Sequence, residues 1–305
     1  MNRYRPEGEL LNTEENLRYI SSFEGMLEAM EQGAILEGKA LLCTGGHDLI
    51  VSLPCGKGII EREEGALGIK EGTTRDIALI SRVGKAVCFK VISADTEEGE
   101  PCFRLSRRAA QQECSERYIS RLRSGDVIPA RVTHLERFGC FVDIGCGIPS
   151  LIPIDAISVS RISHPNDRFY NAQSIYAAVR GFEGGRVLLT HKELLGTWLQ
   201  NASRFEVGQT VGGIVRSVED YGIFVELAAN LAGLAEKRDN VRPGQGASVF
   251  IKAVIPEKMK VKLIIVDIFD TADLPSATDY YITEGHISRW VYSTEGAGKR
   301  IETEF

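Results

Sequence analysis

The chain has 305 residues, 43% of them hydrophobic and 26% charged, the balance of a globular protein and not of a disordered one. That length exceeds one small barrel and suits two or three compact domains. No run approaches the ~18 apolar residues that span a bilayer, and residues 1–7 lack the apolar core of a signal peptide, so a cytoplasmic protein with no membrane partner is expected.

The net charge of −6 taken alone speaks against nucleic acid, but residues 1–33 and 269–305 each carry 3 basic and 7 acidic side chains, which leaves +2 for the 235 residues between them. A polyanion meets local patches at close range, not the net charge. The seven cysteines include no C-x-x-C pair and the five histidines show no ligand spacing. Reduced, mostly buried thiols are expected, with no metal site and no cofactor.

In chain order, Leu17, Ile20, Phe23, Leu27 and Met30 recur every three or four residues up to Gly33, which predicts an amino-terminal helical segment over 1–33. Five strand-like runs follow at 35–44, 48–53, 57–61, 86–94 and 102–106, and together they predict a small barrel over 34–106. Residues 107–124 contain no Pro or Gly and carry five arginines against two glutamates. They read as a basic linker helix with a solvated face, a reading favoured over an RNA track.

One phrase then occurs twice. Phe138-Gly139-Cys140-Phe141-Val142-Asp143-Ile144 matches Tyr221-Gly222-Ile223-Phe224-Val225-Glu226-Leu227. Each copy follows a β-rich run that opens with a glycine, and each precedes a small-residue turn and two further strand-like runs, 174–179 with 186–190 and 247–255 with 260–266. Five short strands in about seventy residues predict a closed barrel, over 125–195 and again over 205–268. The first barrel keeps this strand order but reads Gly46-His47-Asp48-Leu49-Ile50-Val51 where the others place two aromatics. The extension 269–305 is apolar enough, with Tyr280, Tyr281, Ile287, Trp290 and Tyr292, to pack on the third barrel, and 293–305 is expected to be loose.

The repeated phrase resembles the S1 RNA-binding domain, a subtype of OB fold. The tandem arrangement is similar to bacterial ribosomal protein S1, as are Gly58-Ile59-Ile60-Glu61-Arg62-Glu63-Glu64 and Leu105-Ser106-Arg107-Arg108 in the first copy. The resemblance covers roughly residues 34–268. It implies a mainly β protein of three tandem five-stranded S1-type OB barrels with short connecting helices. The family's His-Ile-Ser phrase is replaced by Ile152-Pro153-Ile154-Asp155 and Leu234-Ala235-Glu236-Lys237.

Strand side chains alternate faces, so if Val142 and Val225 fill the barrels, Phe141 and Phe224 lie outside. A strand phenylalanine is more often core, but the recurrence of two aromatics at one spacing beside an available valine favours the outer face. By resemblance, Phe138, Phe141, Tyr221 and Phe224 occupy base-stacking positions and Arg186 and Lys260 the basic position. Lys252, Lys258 and Lys262 enlarge the third barrel's rim, and Arg161, His164, Arg168, Phe169 and Tyr170 form a polar-aromatic loop in the second. No phosphate-binding loop, nucleophile elbow or matched acid/base pair is present. The expected function is therefore non-enzymatic binding of single-stranded RNA, mRNA above all, in translation or RNA handling, with the small ribosomal subunit as a candidate partner. The alternative is a protein-protein adaptor docking through the acidic first barrel on the ribosome or an RNA-processing enzyme.

Overall fold

The computed structural model describes residues 4–97, 99–270 and 279–305. Glu98 and residues 271–278, the opening of the carboxy-terminal extension, lie outside the described residues. Three closed five-stranded barrels follow one another. The first is built from β1 (Leu36–Cys43), β2 (Leu49–Leu53), β3 (Gly56–Ile60), β4 (Ala86–Glu97) and β5 (Glu100–Ser106). The second takes β6 (Val127–Glu136), β7 (Gly139–Asp143), β8 (Pro149–Pro153), β9 (Ser174–Glu183) and β10 (Arg186–Thr190). The third takes β11 (Thr210–Glu219), β12 (Gly222–Ala228), β13 (Leu231–Ala235), β14 (Gly246–Ile255) and β15 (Lys260–Phe269).

All three share one cyclic order, in which the third strand pairs in parallel with the fifth and so closes the sheet: β3 with β5, β8 with β10 and β13 with β15. Closure removes free edges, which lets such small sheets bury one face without exposing unpaired backbone. Alternation does the rest. Along β13 the residues run buried, half-buried, buried, half-buried, buried, with Leu231, Gly233 and Ala235 inward.

The amino-terminal periodicity resolves into two helices, α1 (Glu14–Ile20) and α2 (Phe23–Gln32). Ser22 breaks them because its hydroxyl accepts the Gly25 N–H at 3.0 Å and caps a new start. Gly33 ends α2 in the left-handed region, φ 58°, and donates its N–H to the Ala29 and Met30 carbonyls. Within the first barrel, a one-turn α3 (Ile77–Ile80) lies in the β3–β4 connection. After the barrel, α4 (Arg107–Arg117) is followed by a tight turn at Ile119–Arg121. Arg107 is not on a solvated face. It is buried, and its guanidinium donates to the equally buried Glu7 carboxylate at 2.6 and 3.1 Å.

Two compact units divide the chain: residues 1–122 with 129–131 and 143–149, and residues 123–128 with 132–142 and 150–305. In the second unit a short α5 (Trp198–Ala202), capped by Thr197, places Trp198 in a core shared with the third barrel's Val215, Ile223, Val225 and Leu263. Ile287, Trp290 and Tyr292 of the extension enter the same core. Residues 293–305 are not loose: β17 (Glu302–Glu304) pairs with β16 (Arg289–Val291), and the Thr303 hydroxyl donates to Glu193 at 2.7 Å. The Trp290–Tyr292 core contacts hold β16, and β16 in turn fixes the chain end.

Candidate nucleic-acid interface

In the third barrel the β11–β12 hairpin pairs Glu219 with Gly222, Val218 with Ile223 and Ser217 with Phe224. Ile223 and Val225 are fully buried, so the pleat turns Phe224 outward. Phe224 in turn pairs with Leu234 on β13, and Leu234 with Lys262 on β15. Residues paired across strands share a face, so Ser217, Phe224, Leu234 and Lys262 form one outward row. Lys262 lies two strand spacings, about 10 Å, from Phe224. Tyr221, at the hairpin turn, is 70% exposed and stands edge-on to Phe224 at 6.1 Å between ring centroids and 86° between planes. Gly222 permits this approach of strands, because a Cβ there would lie 2.6 Å from the Ala235 carbonyl oxygen.

The second barrel repeats the arrangement. Val142 is fully buried, Phe138 is 56% exposed, and Phe138 and Phe141 meet edge-on at 5.8 Å and 89°. A third ring joins them: His134, exposed on β6, stacks on Phe141 at 6.5 Å and 27° and contacts Glu136 at 2.7 Å. His134 was not among the residues singled out from sequence. Its signal was available in the spacing, since His134 lies four places before Phe138 just as Ser217, the partner of Phe224, lies four places before Tyr221. Beyond Phe141 the second barrel's β8 and β10 pair Leu151 with Leu188, where the third barrel has Leu234 and Lys262. The second platform is thus richer in rings and poorer in cations.

The other basic residues are distributed along the rims. Arg186 and Lys260 are exposed at the starts of β10 and β15, opposite Glu183 and Ile255. Lys252 is exposed at the β14 bulge, beside Ala253, the partner of Lys262. Arg161 and Tyr170 are exposed and His164 half-buried, whereas Arg168 and Phe169 of the same loop are buried. That loop therefore divides between surface and core.

The acid of each phrase is bonded within the protein. Asp143 is buried in the first unit, where its carboxylate accepts the Glu7, Gly145 and Gly147 N–H groups at 2.7 to 3.1 Å. Burial, with Glu7 nearby, pushes its pKa up to about 7, against these hydrogen bonds and Arg107, which hold it down. Burial also opposes ionisation of Glu7, but Arg107 and Arg82 outweigh it and hold that carboxyl below its usual range. Glu226, the corresponding acid of the third barrel, is buried against Arg216 at 3.0 and 3.1 Å and against Arg168.

The first barrel has the same row with different chemistry. Leu42 pairs with Ile50, Ile50 with Ile59 and Ile59 with Arg104, while Leu49 and Val51 are buried inward. Aliphatic side chains stand where the other barrels have rings, and the terminal Arg104 is paired with Glu61.

Comparison with known proteins finds a family match over part of the chain. Residues 121–189 match the S1 RNA binding domain. That span is the second barrel with the end of the linker before it. The chain also resembles ribosomal protein S1: it is 28% identical over 221 residues to small ribosomal subunit protein bS1 of Staphylococcus aureus (strain COL), a match covering 65% of this chain and 56% of that protein. With the bS1 protein of Rickettsia conorii it shares 29% identity over 196 residues, 58% of this chain and 34% of the other. The matches therefore span about half or less of those relatives' length. Among solved structures, a multidomain protein with nucleic acid binding domains from Streptococcus pneumoniae aligns over 77% of this chain and 74% of its own, at 13% identity and a TM-score of 0.25.

Proposed function

We propose that the chain is a cytoplasmic, non-enzymatic RNA-binding protein that holds single-stranded RNA, mRNA above all, on the outer faces of its second and third barrels. The observation that carries this reading is the recurrence of one device: an exposed aromatic at a hairpin turn, edge-on to a phenylalanine on the outer strand face, with a buried valine behind it. Rings so placed offer platforms on which unpaired bases stack, at ~1 to 3 kcal/mol per base, and the sequence of the bases matters little to such contacts. Phe138, Phe141, Tyr221 and Phe224 are the stacking residues, and Arg186, Lys252, Lys260 and Lys262 supply phosphate contacts. The similarity to bS1 proteins supports a place in translation, with the small ribosomal subunit as partner. The deciding experiment titrates unstructured RNA and the matching single-stranded DNA at two salt concentrations. Binding that weakens with salt and with loss of the rings supports the reading, and the absence of saturable binding at low salt refutes it.

A second reading concerns the first barrel, which offers no rings. Its Leu41, Leu42, Ile77, Ile80 and Val83 are all exposed, and backbone hydrogen bonds from Gly84 to Ala40 and from Ala40 to Lys85 bring the turn after α3 against β1. An exposed apolar surface of this kind suits a protein partner, which makes the first barrel the docking module of the pair of activities.

A further inference from the structure

The third barrel's outer face does not end in solvent. Glu226 lies two residues beyond Phe224 on β12 and so shares its outward face. Arg216, beside the residue that pairs with Phe224, donates to Glu226 from its Nε and Nη2 and reaches Asp167 Oδ1 at 3.0 Å. Arg168 donates to the same Glu226 carboxylate, and its side chain is 1% exposed. Asp167 and Arg168 come from the second barrel, in the loop between β8 and β9. A turn of that loop is therefore fastened to the third barrel beside its ring pair.

The turn is itself closed. Asp167 Oδ2 accepts the Ser163 and His164 N–H groups and the Ser163 hydroxyl at 3.0 to 3.3 Å, while His164 Nδ1 accepts the Asn166 N–H at 3.1 Å. What the turn leaves outside is chemically distinct from what it buries. Arg161, Ser163 and Asn166 are exposed and His164 is half-buried, its Nε2 without a hydrogen-bond partner among the described residues. Among the described residues Arg161 has no acidic partner, in contrast to Arg168 and Arg216. A buried ion network gives little net stability over an apolar replacement; what this one supplies is a fixed position for a cation-bearing turn against a base-stacking face.

We propose that the third barrel's RNA site is composite. A strand stacked on Tyr221 and Phe224 continues onto the second barrel's 161–167 turn, where Arg161 takes a phosphate and the His164 Nε2 edge meets the adjoining nucleotide. The inference rests on the reading of the ring faces as RNA platforms, and it adds that one platform is completed by residues from the neighbouring barrel.

The test is a double-mutant cycle on the full chain, titrated with an unstructured oligouridylate at several salt concentrations. Arg161→Ala is expected to weaken binding about threefold to tenfold and to lower the slope of log affinity against log salt by ~0.7, the value for one phosphate contact on a single strand. Arg161→Lys keeps the charge and should keep the slope. The full Arg161→Ala effect should persist with Phe141→Ala, which disables the second platform. It should shrink to less than about twofold with Phe224→Ala, because residues serving one ligand segment couple and independent ones add. Arg161 is exposed, so its own substitution leaves the fold intact, and melting curves check every variant. Equal Arg161→Ala effects in both backgrounds, coupling to Phe141 instead, or no effect at all would each overturn the composite site while leaving RNA binding intact. No RNA binding by the unsubstituted chain would refute the functional reading itself, and the composite site with it.

Discussion

The first and third barrels have the same strand order and the same outward row of four paired residues, yet one row reads Leu42, Ile50, Ile59, Arg104 and the other Ser217, Phe224, Leu234, Lys262. The inward residues hardly differ in kind: Leu49 and Val51 fill one barrel, Ile223 and Val225 the other. The barrel thus constrains its core and leaves its outer face free. On that face the first barrel has aliphatic side chains and an arginine neutralised by Glu61, and the third has a ring pair and a lysine with no ion pair among the described residues. This difference in surface chemistry is what the proposed division between RNA binding and protein docking rests on.

The largest effect that separates the two should come from the first unit's buried charges. Arg107→Met leaves Glu7 buried with only Arg82, at 3.3 Å, to balance it. Removing one partner of such a pair costs ~3 to 5 kcal/mol. Denaturant unfolding should show the first unit destabilised by that amount, while the RNA affinity of the folded fraction stays as it was. A parallel loss of RNA affinity would show that the two activities are not separable.

The units should also respond oppositely to pH. His191 is buried in the second unit, its Nδ1 on the Ile157 carbonyl at 2.9 Å and its Nε2 on the Tyr280 hydroxyl at 3.0 Å. Burial, with Arg168 nearby, lowers its pKa to about 4. The folded unit then binds fewer protons than the unfolded chain, so this stability is full above pH 6.5 and is lost as pH falls toward 4, by about 3 kcal/mol. In the first unit burial raises Glu37 to about 8 and Asp143 to about 7. Their contribution has the other sign: it is present at low pH and is lost as pH rises through 7 to 8. Glu7, held low, acts only below its ordinary range of about 4.5. Melting followed between pH 5 and 8 should therefore show the second unit losing and the first gaining stability on acidification. His191→Gln should flatten the second slope alone, and an unchanged slope would contradict the assignment.

Ring substitutions are expected to cost ~1 to 3 kcal/mol of RNA affinity each at Phe141 and Phe224. Val142→Ala and Val225→Ala should lower the melting temperature and leave the affinity of the folded fraction nearly unchanged. The smallest effects belong to the rim: Arg186→Gln, Lys260→Gln or Lys262→Gln should each reduce the salt slope by ~0.7 if the side chain meets a phosphate. A slope that does not move removes that residue from the interface.

Much of this was legible in the residues. The doubled phrase, the valine behind each phenylalanine and the glycine at each hairpin turn are local features, and a hairpin's register follows from its turn. His134 could have been read the same way, by counting back from the turn. The fates of the acids could not, because Asp143 is used by Glu7, 136 residues earlier, and Glu226 by Arg168, 58 residues earlier. Likewise Arg107 looks solvated in a run of arginines, and only the fold brings Glu7 to it. Residues 293–305 are polar enough to suggest looseness, yet pairing of β17 with β16 orders their end.

The central claim is that the outer rings of the second and third barrels, and not the corresponding row of the first, hold the single strand. The most direct measurement is a side-by-side titration of unstructured RNA with the unsubstituted chain, the Phe141→Ala/Phe224→Ala double variant and Ile50→Ala. The account predicts a loss for the double variant near the sum of its single effects, ~2 to 6 kcal/mol, with its melting profile retained and Ile50→Ala indistinguishable from the parent. A double variant that unfolds its barrels while its folded fraction binds RNA undiminished, or an Ile50→Ala loss of comparable size, would contradict it.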